Sequence, residues 1–171
     1  ENVSGSGSST QYFVFKGYNT AWSGAFGLGI GISFNNNTIG YDLPIGGTDV
    51  GQNLTGPKLA NGVWYHVGMT YDGSFVKIYL NGDLVFSTAQ TGNIDWGLNN
   101  QDWAIGNNHI PATANRPFVG KIDDVRIANI ARPASYFQSV YQLGIGYGST
   151  PLSVPQLVTF SDGYAIYPHQ E

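Results

Sequence analysis

The chain of 171 residues has no cysteine and few charged residues, and both absences exclude classes of protein. Without cysteine there is no disulfide framework, no thiolate metal site and no thiol nucleophile. Charged residues make up 11% of the chain, and its seven Lys and Arg are scattered within a net charge of -4. Nucleic acids and anionic membrane surfaces are bound through basic patches, so the composition argues against both as partners. No apolar run approaches the roughly 20 residues of a membrane span, which argues against membrane insertion.

Glutamate is also scarce, since only Glu1 and Glu171 occur, at opposite ends of the chain. Retaining glycosidases hold two carboxyl groups about 5 Å apart, which these two residues cannot do on a rigid strand. Asp123 and Asp124 do not replace them, because adjacent side chains of a strand point to opposite faces. The sequence shows no nucleophile elbow, zinc signature or histidine with a partner at a recognised spacing. We therefore predict that the protein is not an enzyme.

The sequence is instead rich in turn residues, with 24 Gly, and in short alternating segments. Residues 61–86 alternate apolar and polar side chains on both sides of Asp72-Gly73 and Asn81-Gly82, which are typical of tight hairpin turns. This pattern predicts a three-stranded meander. Further strands are predicted at residues 103–106 and 118–129, and Pro133 opens a helix predicted over residues 134–143. Six residues are predicted to face a shared core: Val67, Met69, Ile78, Leu80, Val125 and Ile127.

Six motifs occur in the order found in one known family. They are WYHV at 64–67, TYDG at 70–73, KIYLNG at 77–82, IG at 105–106, GKIDDVRI at 120–127 and the helix that begins near residue 134. In this order they resemble laminin G-like jelly-roll domains of the concanavalin A-like lectin/glucanase superfamily, which are related to pentraxins. The resemblance implies an all-β fold, a two-sheet antiparallel jelly-roll sandwich with one short helix near residues 134–143. It also implies a non-catalytic, lectin-like or adhesive module that binds a glycan or an extracellular protein.

The two ends of the chain depart from that family. The family's opening strands have no counterpart before Gln11, whereas residues 156–168 resemble a segment that the family carries early. We therefore expect a sandwich over residues 1–145, followed over 146–171 by a proline-containing connector and a terminal hairpin. That hairpin is expected to complete the sandwich, as in a circular permutation, or to pair with a neighbour, as in one unit cut from a tandem or polymeric protein. Pairing with a neighbour would allow self-assembly through the terminal strands. The alternative is an ordinary C-terminal hairpin. The alternative function is a structural subunit or surface decoration of a filament, fibre or capsid.

Aromatic residues beside amides suggest where a sugar would bind, because an exposed indole stacks on a pyranose while amides bond its hydroxyls. Trp22 and Trp96 are the candidates, with Asn99 and Asn100 as polar partners. Trp64 and Trp103 fall in predicted strands, where packing in the core or at a sheet edge is the simpler interpretation.

The resemblance also implies a calcium site in the loop that follows residue 94. Carboxylate and amide oxygens suit Ca²⁺, and the loop offers them at Asp95, Asn100, Gln101 and Asp102. Asn100 stands where the pentraxin loop carries a Glu, which removes one negative charge. The alternative is a loop whose side chains satisfy their own backbone.

Three triplets match the acceptor pattern for N-glycosylation, and they begin at Asn2, Asn36 and Asn53. Lys and Glu are scarce, whereas Gly, Asn, Ser, Thr and Tyr are abundant. This composition favours an extracellular or surface-displayed protein. The chain starts at Glu1 without Met, and we expect it to be a mature or excised piece of a longer protein.

Overall fold

The computed structural model describes residues 10–20, 24–33, 36–95, 102–107, 117–146, 158–159 and 165–166. Within these ranges the chain forms short antiparallel strands and one helix. The elements are β1 Thr10–Thr20, β2 Gly24–Ser33, β3 Ile39–Asp42, β4 Pro44–Ile45, β5 Thr48–Asp49, β6 Gln52–Asn53, β7 Val67–Tyr71, β8 Phe75–Leu80, β9 Asp83–Ala89, β10 Trp103–Ile105, α1 Ala134–Gly146, β11 Val158–Thr159 and β12 Ala165–Ile166. No helix among the described residues has the length and apolar character needed to cross a membrane.

The larger sheet has five antiparallel strands in the order β10-β1-β2-β3-β6. Strand β1 pairs with β2 along its whole length, with one bulge between Tyr12 and Val14. In β2 every second residue is aliphatic, and Leu28, Ile30 and Ile32 pack against the core. The five-stranded sheet is therefore one wall of a sandwich.

The smaller sheet is the meander that the sequence predicts, in the order β7-β8-β9. Asn81 and Gly82 adopt φ angles of 51° and 87°, the left-handed conformation that a tight hairpin turn requires. In the preceding turn the carboxylate of Asp72 accepts hydrogen bonds from the backbone N–H groups of Ser74 (2.9 Å) and Phe75 (2.7 Å). Each turn is thus specified by local chemistry, which explains why its position is readable from the sequence.

The core lies between the two sheets. Its buried members are Ile39, Tyr41, Leu43, Leu54, Leu59, Val76, Ile78 and Leu80. Full burial of one such side chain contributes about 1.5–3 kcal/mol. The inward orientation predicted for Ile78 and Leu80 is confirmed, while Val67 and Met69 are half-buried and pack against the core cluster. These packed sheets form the antiparallel jelly-roll sandwich that the motifs predict.

The five-stranded sheet carries a second layer of aromatic rings on the face turned away from the core. Glycines alternate with the aliphatic residues of β2, so Gly27 and Gly29 lie on that face. The rings of Tyr12 and Phe15 lie over them with centroids 4.5 Å apart, and both rings are fully buried. A Cβ on either glycine would overlap the Phe15 ring. Glycine is therefore required here by close approach.

Helix α1 packs on the outer face of the smaller sheet. The ring of Phe137 stacks on Tyr79, with centroids 4.1 Å apart and planes 11° from parallel. It also occupies the space where a side chain at Gly68 would lie. Helix α1 can pack closely on the sheet because Gly68 has no side chain there. The helix begins at Ala134 as predicted and extends to Gly146, three residues beyond the predicted end.

Residues 117–133 differ from the prediction, because the strand expected over 118–129 does not form. Asp124 has a φ of 52°, which interrupts an extended backbone, and no described strand pairs with the segment. Val125 and Ile127, predicted to be core residues, are exposed. An apolar alternation gives a segment the capacity to be a strand, but a strand also needs a hydrogen-bonded partner.

Two further features concern the ends of strands. Strand β7 begins at Val67, so Trp64 precedes it and is exposed, whereas the sequence places Trp64 within a strand.

Near the C-terminus β11 pairs with β12 as a hairpin, with Val158 opposite Ile166 and Thr159 opposite Ala165. Completion of the sandwich by this hairpin remains a prediction.

Candidate binding surface

All four residues predicted to bind a sugar lie outside the described residues, namely Trp22, Trp96, Asn99 and Asn100, and so does Gln101 of the predicted calcium loop. The two carboxylates at the ends of that loop are described. Asp95 is half-buried, and its backbone N–H donates to the carbonyl of Pro44 (2.9 Å), which ties the start of the loop to β4. Asp102 is exposed directly before β10. Among the described residues no three His, Asp, Glu or Cys side chains gather as a metal site would require. Calcium binding stays a prediction.

Two of the three predicted glycosylation sites lie in the described part of the chain, and Asn2 lies outside it. Asn36 is exposed in a turn, where its side-chain oxygen accepts a hydrogen bond from the hydroxyl of Thr38 (2.8 Å). Asn53 is exposed on β6, where its side-chain oxygen accepts from the hydroxyl of Thr10 (2.9 Å). Both are accessible, and their modification remains a prediction.

Exposed aliphatic side chains collect on residues 119–130, which we call the open segment. Val119 is 81% exposed, Ile127 and Ile130 are each 54% exposed, and Val125 is exposed as well. Single exposed apolar residues are normal, but several along one stretch indicate a surface that another molecule covers. This row is the main candidate for a binding surface on the described part of the chain.

The open segment is held against the rest of the domain at its centre. The guanidinium of Arg126 donates two hydrogen bonds to the carboxylate of Asp124, from Nε (2.9 Å) and Nη2 (2.6 Å), and also bonds Tyr136 at the start of α1. These two hydrogen bonds join Arg126 and Asp124 in an ion pair. Arg126 therefore links the open segment to the start of the helix.

His66 lies beside this anchor, just before β7. Its ring is near Phe137 and Tyr141 of α1, with centroids 6.2 and 6.4 Å away, and its buried Nδ1 has no hydrogen-bond partner. Burial lowers the pKa of the imidazole below 6.5, and the positive charge of Arg126 lowers it further. The neutral ring therefore suits its packed position.

Two carboxyl groups meet on the aromatic face of the larger sheet, and sequence reasoning does not find them. The hydroxyl of Tyr12 donates to the Asp42 carboxyl, and one oxygen of Asp49 accepts from the backbone N–H groups of Leu43 (3.2 Å) and Gly51 (3.1 Å). Burial, the charge of Asp42 and a hydrogen bond with Asp42 together raise the pKa of the Asp49 carboxyl to about 7, against the two backbone donors.

This carboxyl pair does not have the geometry of a glycosidase. Retaining enzymes separate their carboxyl groups by about 5 Å so that the scissile bond fits between them. Asp42 and Asp49 bond to each other directly, and Asp49 also accepts from the backbone directly after β3 and directly before β6. The arrangement stabilises the segment between β3 and β6 and leaves no space for a substrate between the carboxyl groups.

Trp64 is the other feature that the sequence interpretation misplaces. It is 62% exposed beside Val63, on the loop that follows the turn at Asn61 and Gly62. Period-two alternation extends the predicted strand back to this residue, but the backbone N–H of His66 is bonded by the side chain of Asn81 (3.0 Å) instead of by a strand neighbour. Trp103 is on β10 at the sheet edge, as expected, with the Lys16 ammonium 6.0 Å from its ring.

Comparison with known proteins gives similar solved structures and a family model. A 2.1 Å crystal structure of an S-layer domain-containing protein (residues 221–444) from Clostridium thermocellum ATCC 27405 matches with a TM-score of 0.43 and 22% identity, over 82% of this chain and 67% of that one. A likeness of this degree adds no argument about function. The sequence model of the laminin G family matches residues 2–135, which is most of the chain, and this agrees with the motif order and with the two antiparallel sheets. The protein therefore belongs to the concanavalin A-like lectin/glucanases superfamily, in its laminin G group.

Proposed function

We propose that this chain is a non-catalytic binding module of an extracellular or cell-surface assembly, and that it recognises a protein. The observation that supports this proposal is the row of exposed aliphatic side chains on the open segment. Aliphatic surface favours a protein partner, because apolar burial drives most protein association whereas sugars are bound by aromatic faces and amides. Membership of the superfamily is compatible with either ligand, since one fold hosts many functions.

A second candidate is carbohydrate binding at Trp64. Its exposed indole offers a stacking surface, and Asn61 lies three residues before it in an exposed turn. This candidate rests on one described aromatic residue, whereas the protein-binding proposal rests on several aliphatic ones. The two candidates use different residues and can be tested on the same protein.

The test exposes the immobilised full chain to a phage-displayed peptide library and, separately, to a glycan array. We expect enriched peptides with alternating aliphatic residues, and we expect Ile127→Lys to abolish their binding. Leu84→Lys is the matched control, since Leu84 is 51% exposed on β9, outside the open segment.

Three results would contradict the proposal. They are the absence of any enriched peptide, peptide binding that Ile127→Lys leaves unchanged, and turnover of glucan or peptide substrates. Glycan binding that is lost in Trp64→Ala, without peptide binding, would favour the carbohydrate candidate instead.

A further inference from the structure

Among the described strands, β7 lies at the edge of its sheet. In an antiparallel pair the residues alternate between facing the partner strand and facing away from it. The N–H of Asn81 donates to the carbonyl of His66 (2.8 Å), so the residues that face β8 are His66 and every second residue after it. Val67, Met69 and Tyr71 therefore turn their N–H and C=O groups away from β8. No described strand lies on that side of β7.

Apolar side chains flank this free edge. Val67 and Met69 are only partly covered by the core, and Val125 and Ile127 of the open segment are exposed. The open segment is near β7, because Arg126 bonds Tyr136 at the start of α1 and its charge acts on His66. No ladder joins the open segment to β7.

One kind of ligand satisfies both features. A row of unpaired backbone groups on a strand is satisfied by another strand, which adds to the sheet edge. The side chains of the added strand would point alternately to the two faces of the sheet. Those on the inner face would cover the partly exposed Val67 and Met69 and meet the aliphatic residues of the open segment.

The chain itself carries a strand that suits this edge. The hairpin of β11 and β12 has two residue pairs, and a two-stranded hairpin alone is marginally stable in water. Its sequence, LVTF at 157–160 and YAIY at 164–167, is dense in β-branched and aromatic residues. Pro151 and Pro155 precede it, and the residue before a proline favours an extended backbone.

Among the described strands, β11 pairs with β12 and none pairs with the outer edge of β7. Resting on the proposed function, we infer that the partner is a second copy of this chain, whose terminal hairpin adds a strand to the free edge of β7. The edge and the hairpin are different surfaces, so the contact is heterologous. It repeats from copy to copy and builds an open chain of subunits or a ring.

The absence of cysteine allows a direct cross-linking test on the full chain. Two single variants, Ile127→Cys and Thr159→Cys, are mixed and treated with a short bismaleimide. We expect a covalent heterodimer, and we expect none when Leu84→Cys replaces Ile127→Cys. A chain that carries both cysteines and gives only an internally linked monomer at every concentration would show that the hairpin fills its own edge, which would overturn the inference.

Light scattering over a range of concentrations gives an independent test. Val67→Pro removes an N–H that points to the free edge and keeps the ladder with β8, because proline is tolerated on the outer side of an edge strand. Loss of one hydrogen bond predicts association weaker by about tenfold. Val67→Ala shortens the same side chain and keeps the N–H, so it should associate more tightly than Val67→Pro. Far-UV circular dichroism checks that each variant is folded.

A wild-type chain that is monomeric at all concentrations would overturn the inference, as would equal association of Val67→Pro and Val67→Ala. Should the monomeric chain still bind library peptides in a manner that depends on Ile127, the proposed function would stand and only the second copy as partner would be wrong.

Discussion

Helix α1 packs over Gly68 of the smaller sheet. The effect of Gly68→Ala on stability should therefore depend on whether the Phe137 ring is present. A Cβ at Gly68 would overlap the ring of Phe137. Two effects oppose each other in Gly68→Ala. Alanine loses less backbone entropy than glycine in a strand, which favours folding by about 0.5–1 kcal/mol. Overlap in a packed interface costs about 1–3 kcal/mol. We expect a net loss of about 1–2 kcal/mol in the free energy of unfolding.

Phe137→Ala removes the obstruction. Phe137 is buried and stacks on Tyr79, so its truncation should cost about 3–5 kcal/mol. With the ring gone, Gly68→Ala should become neutral or stabilise the protein by up to about 1 kcal/mol. The two substitutions should thus show a coupling energy of about 1–3 kcal/mol, within the range found for residues in contact.

Urea unfolding with linear extrapolation measures the four free energies of this cycle. The control is Gly144→Ala in the wild-type chain, because Gly144 is in α1 with open space around it. Alanine there should stabilise the protein by up to about 1 kcal/mol through helix propensity alone. Equal effects of Gly68→Ala with and without the Phe137 ring would refute the proposed packing of α1 over Gly68.

Three further predictions concern titration and metal binding. The pKa of His66 is lowered in the folded protein. The neutral imidazole therefore contributes its full stability above about pH 6.5, and this contribution is lost as the pH falls through the folded pKa. His66→Gln should reduce the fall of the Tm at acid pH. The pKa of Asp49 is raised to about 7, so its contribution is full below about pH 4 and is lost as the pH rises through 7. Asp49→Asn should remove that loss, and a Tm that keeps the same pH dependence in this variant would contradict the assignment. Ca²⁺ should raise the Tm by binding the folded state, and Asp102→Ala should abolish the increase. A Tm unchanged by EDTA and by added Ca²⁺ would favour the self-satisfied loop.

Local turn chemistry explains how much of the fold is predictable from the sequence. The meander depends on Asn81 and Gly82 at positive φ and on the Asp72 side chain bonding its own turn, and both effects act within a few residues. The alternation of Ile78 and Leu80 with outward residues follows from the same short range. Features of this kind need no knowledge of distant contacts.

The open segment shows why the remainder is not predictable. Its alternating Val125 and Ile127 match the pattern of a strand, but pairing depends on a partner that the segment itself does not contain. The left-handed conformation of Asp124 also interrupts the extended backbone of this segment. Asp tolerates this conformation, but an Asp in the sequence does not by itself indicate it. Such outcomes are decided by tertiary neighbours.

The candidate site depends even more on distant contacts. Trp64 is exposed because β7 begins three residues later, at Val67. The backbone N–H of His66 donates to the side-chain oxygen of Asn81. The pairing of Asp42 with Asp49 arises where the chain folds back between β3 and β6, and no spacing rule marks two aspartates seven residues apart. A buried Tyr12 hydroxyl that needs an acceptor is the only signal, and it becomes visible once the sheet is formed.

The aromatic layer over β2 has a consequence for how this chain can vary. Each ring rests on glycine backbone, so Gly27 and Gly29 admit no other residue unless Phe15 changes with them. Their neighbours Leu28 and Ile30 pack on the core, where exchanges among aliphatic residues of similar volume usually cost less than about 1.5 kcal/mol. In a saturation mutagenesis library of this strand, positions that tolerate substitution should therefore alternate with positions that do not. Folded variants with another residue at either glycine should appear only in clones that carry a smaller residue at position 15. Substitutions in β1 and β2 are therefore expected to occur together.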